Sequence, residues 1–406
     1  MITNPTTTAP AEGPALPQAG GPALPQAGGP AIAPPGLKGL IVADTTLGDV
    51  RGAEGFYHYG PYSAVDLARL RPFEDVWRLF VDGSLPDAAQ RAAFASEVAP
   101  LRPMPAGLSD ALPGIATSTD DPLLALRTAV SWASADAGLR PLLDLGRPER
   151  RADALRLAAL APTVLAAIHR RARGAEPIAP RADLGAAANL LWMVTGEEPD
   201  PEAADALGCY LVSTIDHGFN ASTFTARVIA STGADLGSCV VGAVGALSGP
   251  LHGGAPSRAL DLLDEIGDPA RVEAVVAPRL AAGERIMGFG HAVYQGEDPR
   301  AVMLRELAGS LGGDLAERAA ACEDGIVALL EAHRPGRHLR ANVEYWAGVV
   351  MATVGLPRSM FTPTFASSRI VGWCAHALEQ ADDPRIIRPS SRYRGEVAPR
   401  PVPAMA

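Results

Sequence analysis

The sequence predicts an all-α protein. From about residue 64 onward, apolar residues recur three to four positions apart, which is the period of amphipathic helices. Strand-like alternation is scarce, and the one short strand that the pattern favours covers residues 39–43. Glycine and proline separate the apolar runs, so short loops are expected between helices. At 406 residues, 48% of them hydrophobic, the chain is long enough for a large core and two domains.

The first 35 residues differ from the rest of the chain. The octapeptide GPALPQAG occurs at 13–20 and again at 21–28. Proline and glycine at this density cannot build a core, so residues 1–35 are predicted to be a disordered tail. No basic stretch precedes an apolar run there, so no signal peptide is expected. No uncharged apolar segment reaches the roughly 18 residues that a membrane span needs, so no membrane association is predicted.

Individual helices are predicted along the chain. The run from residue 152 is rich in Ala and Leu, tolerates one proline and ends in basic residues and glycine, as the C-terminal end of a helix often does. The run at 201–218 opens with proline and acidic residues, which suits a helix start. Three later runs also have apolar residues at helical spacing, namely SRALDLLDEIG, ARVEAVVAPRLAAGERIM and LAERAAACEDGIVALLEAH.

Charge and cysteine content exclude several function classes. The net charge of -10 argues against a general nucleic-acid binder. The four cysteines lie far apart, with no CxxC pair and no metal-ligand spacing, so no metal site is expected. We interpret them as reduced thiols that pack as small apolar groups, which favours a cytoplasmic location. They are Cys209, Cys239, Cys322 and Cys374.

Three histidines occupy glycine-rich breaks between the predicted helices. They are His217 in IDHGFN, His252 in SGPLHGGAPS and His291 in MGFGHAVYQ. Neighbouring glycines let a histidine approach a ligand closely. One such residue alone is more often a helix cap, but three in similar settings favour a shared binding role. The other five histidines are predicted to be structural or surface residues: His58, His169, His333, His338 and His376.

Three arginines are candidates for binding an anion. Arg300 ends the segment EDPR, Arg369 lies in the largely uncharged FASSRIVGW, and Arg388 lies in IIRPSSRY. The planar guanidinium suits carboxylates. The alternative is an internal ion pair, because Asp298 and Glu379 are near in sequence.

One acid stands inside an apolar run. Glu344 is the only charged residue of NVEYWAGVVMATVG. A buried carboxylate is costly unless something requires it. An acid, imidazoles and arginines without a metal motif suggest proton abstraction beside a carbonyl group of an anionic substrate. The GFG at 288–290 is not a dinucleotide-binding fingerprint, since it follows a helical pattern and lacks the third glycine.

Several segments resemble the signature segments of the citrate synthase family in order and spacing. They are DHGFNASTFTARVIASTGAD, LSGPLHGGAP, MGFGHAVYQGEDPRA, NVEYW and RIVGWCAHALEQ, with GLKGLIVADTTLGDVRG resembling the N-terminal entry segment. The likeness is greatest to a bacterial branch that has NVE in the last catalytic motif. It covers about residues 36–395, so the short tail at 396–406 is expected to be disordered.

The resemblance implies the two-domain helical fold of that family. A large domain would comprise residues 36–252 and 353–395, and a smaller mobile domain would comprise 253–352. The family works as a homodimer. It joins acetyl-CoA to oxaloacetate and hydrolyses the citryl-CoA product to citrate and CoA. No cofactor is implied, because acetyl-CoA is a co-substrate.

The resemblance also implies a role for each candidate residue. His252 would bind the thioester oxygen, His291 would polarise the oxaloacetate carbonyl, and Glu344 would be the base. The oxaloacetate carboxylates would be held by four residues, of which Arg388 would reach across the dimer: His217, Arg300, Arg369 and Arg388.

Departures from the family pattern concern the acid and CoA binding. Glu344 is one methylene longer than the usual Asp, so the site must be shaped for it. Gln295 and Ala292 stand where the family often has basic residues, and HYGP at 58–61 replaces RYRG. Arg337 and Arg340 are then the candidates for holding CoA phosphates. A longer acyl-CoA substrate, giving 2-methylcitrate or another alkylcitrate, stays open, as does a non-catalytic paralogue.

Overall fold

A computed structural model describes residues 31–249, 252, 256–291, 293–383, 385–396, 399–400 and 402–403. Within them the chain forms sixteen α-helices and one three-stranded sheet, as the all-α prediction requires. Two compact units can be distinguished. Thr45–Ile387 holds every helix and strand labelled below, and Met1–Asp44 with Arg388–Ala406 forms the other. The described residues of this terminal unit are mostly exposed, with one 3-10 turn at Pro35–Leu37.

The helices and strands have the following bounds. The strands are β1 (Gly48–Arg51), β2 (Phe56–Tyr59) and β3 (Tyr62–Ser63). The helices are α1 (Ala64–Leu70), α2 (Phe73–Asp82), α3 (Ala88–Val98), α4 (Ala106–Thr117), α5 (Pro122–Asp136), α6 (Arg147–Ala172), α7 (Ala186–Thr195), α8 (Pro201–Thr214), α9 (Ala221–Ala230), α10 (Leu236–Leu247), α11 (Pro256–Ile266), α12 (Val272–Ala281), α13 (Pro299–Leu311), α14 (Asp314–His333), α15 (Val343–Thr353) and α16 (Phe361–Ala381).

The predicted strand at 39–43 is wrong. Residue 39 lies in a turn and residues 40–43 in irregular structure, most of them are exposed, and they form no ladder with any described residue. The sheet lies just after them, where β1 pairs antiparallel with β2 and β2 with β3, with Gly48 opposite Tyr59 and His58 opposite Ser63. A short apolar run does not make a strand unless a partner strand completes its hydrogen bonds.

The predicted helices are confirmed, with shifts at their ends. The run from residue 152 is the later part of α6, which keeps its internal Pro162. The run from residue 201 is α8, and it ends at Thr214 rather than at the predicted residue 218. Aspartates before prolines cap several helices, since the Asp200 side chain accepts from the N–H of Ala203 at 2.9 Å.

The core is centred on the two longest buried helices, α6 and α16, which pack against each other. By length and composition α6 could cross a membrane, but 78% of its apolar window is buried inside the protein. The buried residues of α6 are almost all apolar, whereas α16 buries serines, an arginine, a histidine and a glutamine. This polar face of α16 reaches the candidate site.

Other expectations can be compared with the described residues. The four cysteines are free, and all but Cys209 are buried. No group of three or more His, Cys, Asp or Glu among the described residues is arranged to hold a metal ion. The disordered tail predicted for 1–35 lies outside the described residues up to residue 30, as does part of 396–406. The division into large and small domains stays a prediction.

Candidate active site

Two loops that pair with each other form the first part of the site. Phe289 and Ala341 make an isolated antiparallel bridge. The N–H of Gly290 donates to the carbonyl of Arg340 at 2.8 Å, and the side chain of Asn342 donates back to the carbonyl of Gly290 at 3.0 Å. Gly290 has φ of +83°, which a glycine adopts without strain. The pairing joins the GFGH and NVE motifs.

Glu344 lies in the first turn of α15. The Asn342 side chain caps this helix and accepts the N–H of Glu344 at 3.0 Å. Burial raises the pKa of the Glu344 carboxyl to about 7, although the positive charge of Arg300 opposes the shift. A carboxylate of this kind is ionised to a useful extent at neutral pH and is more basic than an exposed one, as a general base should be.

The imidazole of His291 has its proton position fixed by the backbone. Its Nδ1 accepts from the N–H of Val293 at 3.0 Å and that of Tyr294 at 3.2 Å, so the neutral ring carries its proton on Nε2. Nε2 lies 3.2 Å from a guanidinium nitrogen of Arg300. Because a guanidinium only donates, this contact is not a hydrogen bond while Nε2 carries the proton, so two donors lie side by side. Burial, assisted by Arg300, lowers the pKa of His291 to about 4. The two neighbouring donors suit an electron-rich oxygen.

Arg300 is held rigidly by the carboxylate that caps its own helix. Asp298 accepts from Nε of Arg300 at 3.0 Å and from Nη2 at 2.8 Å, and both side chains are almost fully buried. The second carboxylate oxygen also accepts the N–H of Val343 at 3.1 Å. Asp298 therefore ties the start of α13 to the start of α15. The internal ion pair weighed for Arg300 is present, and it aims the guanidinium at the neighbouring imidazole.

His217 belongs to a cluster of aromatic rings. Its Nε2 lies 2.9 Å from the hydroxyl of Tyr294. The rings of Tyr57 and His291 both have centroids 5.5 Å from its own. Burial, followed by the charge of Arg300, holds the pKa of His217 well below its usual range. The ring is therefore neutral at physiological pH and can act as a hydrogen-bond donor or acceptor.

His252 is oriented by the N-terminus of α9. The N–H of Ser222 lies 3.3 Å from Nε2 of His252, and the Ser222 hydroxyl lies 2.8 Å from the same nitrogen. A backbone N–H can only donate, so Nε2 is the acceptor and the ring proton resides on Nδ1. Burial and then Arg369 lower the pKa of His252 to about 4. His252 thus presents a neutral Nδ1–H donor.

Arg369 is buried in the middle of α16. Its Nε donates to the carbonyl of Thr214 at 2.6 Å, and its guanidinium lies 4.6 Å from the ring centre of Phe365. The ion pair weighed with Glu379 is wrong, because Glu379 pairs with Arg227 at 2.6 Å. Burial lowers the pKa of Arg369 from its ordinary value. A buried arginine that donates only its Nε–H to a carbonyl, with the Asp216 carboxylate as its nearest opposing charge, can still bind a second carboxylate.

The remaining predicted arginines are exposed or half-exposed. Arg388 is an exposed residue of the terminal unit. Arg337 is exposed in the loop between α14 and α15, and Arg340 is half-buried there with its Nη1 3.3 Å from the carbonyl of Leu339. Their binding roles stay predictions.

Sequence reasoning missed four residues that shape this site. The sequence suggests Asp298 only as a partner of Arg300, although its position before a proline also signals a helix cap. Ser222 follows the capping Asn220 by two residues. No local pattern singles out Tyr294, whose hydroxyl lies beside His217. His376, interpreted as structural or surface, lies seven residues after Arg369 and is therefore on the same helix face.

The arrangement combines one base with several neutral donors and buried positive charge. Glu344 can take a proton, His252 and His291 can each donate to an oxygen, and Arg300 and Arg369 can neutralise carboxylates. Such a set can abstract a proton beside a carbonyl, stabilise the resulting enolate and direct it to a second carbonyl.

Comparisons with known proteins point to one family. The family model described as citrate synthase, C-terminal domain, matches residues 36–390. A citrate synthase of Deinococcus radiodurans is 38% identical over 373 residues, covering 89% of this chain and 95% of the relative.

Solved structures agree in fold. The citrate synthase of Thermotoga maritima has a TM-score of 0.79 at 34% identity and covers 91% of this chain and 97% of its own. The citrate synthase of Thermoplasma acidophilum, in a ternary complex with carboxymethyl coenzyme A and oxaloacetate, has a TM-score of 0.83 at 28% identity and covers 91% and 98%. By family model, relatives and fold alike, the chain is an enzyme that belongs to the citrate synthase family.

Proposed function

We propose that this enzyme condenses acetyl-CoA with oxaloacetate and hydrolyses citryl-CoA to citrate and CoA. The observation that carries the proposal is Glu344, a carboxylate whose pKa burial raises to about 7, beside the buried cation of Arg300. The Thermoplasma relative, whose structure contains oxaloacetate and a coenzyme A derivative, supports these substrates.

In the first step Glu344 takes a proton from the methyl group of acetyl-CoA. That methyl group is a weak acid, so the enolate oxygen must be stabilised as its charge develops. The Nδ1–H of His252 is suited to this role, because the Ser222 amide fixes the tautomer and the low pKa keeps the ring neutral.

In the second step the enolate carbon forms a bond to the keto carbon of oxaloacetate. The electron pair of the carbonyl moves onto its oxygen, beside the Nε2–H of His291 and the guanidinium of Arg300. Water then attacks the citryl thioester, the carbon–sulfur bond breaks, and CoA leaves as the thiol. His217 and Arg369 help to hold the substrate carboxylates, and Arg337 and Arg340 hold the phosphates of CoA.

We also propose a cytoplasmic homodimer in which Arg388 completes the site of the partner subunit. Arg388 is exposed and lies outside the unit that holds the other site residues. The chain itself does not fix the side-chain geometry of an exposed arginine. The substrate and a second copy of the chain would therefore order it.

Release of free CoA tests the proposed reaction. Purified protein with oxaloacetate and acetyl-CoA should release CoA, detected with a thiol reagent, and the rate should rise with pH through about 7 as Glu344 ionises. Faster turnover of propionyl-CoA would assign an alkylcitrate synthase instead. Absence of release with acetyl-, propionyl- and butyryl-CoA would refute the proposed function.

A further inference from the structure

One face of α16 lies directly on the turn that carries His217. Arg369, Gly372 and His376 share this face, since they are spaced by three and four residues. A Cβ added to Gly372 would lie 2.1 Å from the carbonyl oxygen of Ile215. Because Gly372 has no side chain, the backbone of α16 touches the backbone of the turn directly. The position of the turn is therefore set by α16.

Hydrogen bonds from the same helix fix the turn on both sides of that contact. Arg369 donates to the carbonyl of Thr214 at 2.6 Å, and His376 bonds the carboxylate of Asp216 at 3.2 Å. The indole N–H of Trp373 donates to the hydroxyl of Ser222 at 3.2 Å. The helix thus contacts residues before His217 and the serine that orients the second histidine of the site.

The imidazole of His376 is part of a buried polar chain. A guanidinium nitrogen of Arg227 lies 3.0 Å from its Nδ1. Because guanidinium only donates, Nδ1 is the acceptor and Nε2–H donates to Asp216. Arg227 is held in turn by Glu379 at 2.6 Å and by Gln380 at 3.1 Å. Among these side chains only that of Glu379 is not fully buried.

Asp216 passes this constraint to the residue beside it. One of its carboxylate oxygens faces His376, and the other accepts the N–H of Gly218 at 3.2 Å. The carboxylate therefore links His376 of α16 to the N–H of Gly218, the residue that follows His217. Gly218 has φ of +64°, so the backbone bends sharply at this point.

We propose that His376 is a positioning residue, which holds the turn of residues 214–218 through Asp216 and thereby orients His217 towards oxaloacetate. The identity of the substrate, oxaloacetate, rests on the proposed function, whereas the contacts of His376 do not. His376 itself touches no group assigned to the reaction. Its contribution is expected in the binding of oxaloacetate, because a displacement of about 1 Å in a substrate-holding group costs on the order of a hundredfold in rate.

Replacement of His376 by Leu and by Gln tests this role. His376→Leu removes both hydrogen bonds and should raise the KM for oxaloacetate by at least about tenfold, with a smaller change in the KM for acetyl-CoA. His376→Gln keeps an N–H that can reach Asp216 and should restore the KM to within about threefold of wild type. A matched control is His169→Leu, the same change at a buried histidine of α6, which should lower the melting temperature only.

The outcomes separate this inference from the proposed function. An inactive wild-type chain would refute the function, whereas an active one leaves the variants to test His376 alone. A folded His376→Leu chain with the wild-type KM for oxaloacetate would overturn the inference. If that variant does not fold, Asp216→Asn, which keeps the volume and removes the charge, decides by the same measurement. An unchanged KM in Asp216→Asn would also overturn it.

Discussion

The buried arginines and the exposed arginines of this enzyme differ in what fixes their geometry. Arg300 is held by two hydrogen bonds that it donates to Asp298, and Arg369 by one that it donates to the carbonyl of Thr214. Arg337 and Arg388 are exposed, and neither guanidinium makes a hydrogen bond or ion pair with any residue that the structure describes.

The difference separates two ways of building a binding site. Buried charges must be paired and oriented during folding, because desolvation is costly otherwise, so their geometry exists before substrate arrives. Exposed charges keep their side-chain freedom and are ordered only by the ligand or by a second subunit. Substitutions in the buried centre should therefore change chemistry and stability together, whereas substitutions of the exposed arginines should change binding alone.

The largest effect is expected for Glu344→Gln in the buried centre. Loss of the base should lower kcat by at least about a thousandfold. Because burial raises the pKa of Glu344 to about 7 from its ordinary 4.5, the folded chain binds this proton more tightly than the unfolded chain. The stability that this protonated carboxyl contributes is fully present below pH 4.5 and is lost as the pH rises through about 7. At pH 8 the free energy of unfolding of Glu344→Gln should therefore exceed that of wild type by about 3 kcal/mol, measured by denaturant titration.

Two measurements accompany this variant. The stability gain should shrink to less than about 1 kcal/mol at pH 5, where the unfolded chain is already partly protonated. Oxaloacetate should still raise the melting temperature, because the groups that hold its carboxylates remain. Wild-type turnover in Glu344→Gln would show that another group is the base.

The parts of the site that could be predicted from sequence are those with a local signal. His252, His291 and Glu344 stand in motifs where glycines or an apolar run make a polar residue conspicuous. The helix start at Pro201 was also readable, because proline followed by acidic residues suits the first turn of a helix.

The residues that escaped prediction act through contacts between distant parts of the chain. Tyr294 contacts His217 across 77 residues, and His376 contacts Asp216 across 160. No local pattern encodes such a pair. The opposite error, the strand expected at 39–43, has the same origin, since a strand exists only when a partner pairs with it.

The second-largest effect concerns Arg388 and tests whether an exposed arginine acts on the partner subunit. Arg388→Gln alone should lower activity by about a hundredfold, since a charge on the substrate loses its partner. Co-expression of Arg388→Gln with Glu344→Gln chains should restore about a quarter of wild-type activity, because random pairing leaves one complete site in each mixed dimer. If Arg388 acted within its own chain, the mixture would stay inactive.

The smallest effect is expected for the loop before α15. Replacing Arg337 and Arg340 by Gln should raise the KM for acetyl-CoA by about threefold and leave the KM for oxaloacetate unchanged, because charges in an exposed or half-buried position are solvated and contribute little each.

The size of this effect should fall as salt is added, since salt screens attraction between the arginines and phosphates. Arg156→Gln with Arg173→Gln is the matched control, because it removes the same charge from exposed positions on and just after α6. An equal rise in the control would mean that net charge alone is responsible. A larger rise in the KM for oxaloacetate would mean that the loop supports His291, because the carbonyl of Arg340 accepts the N–H of Gly290. The contrast between buried and exposed arginines would then fail at Arg340, whose backbone belongs to the buried centre.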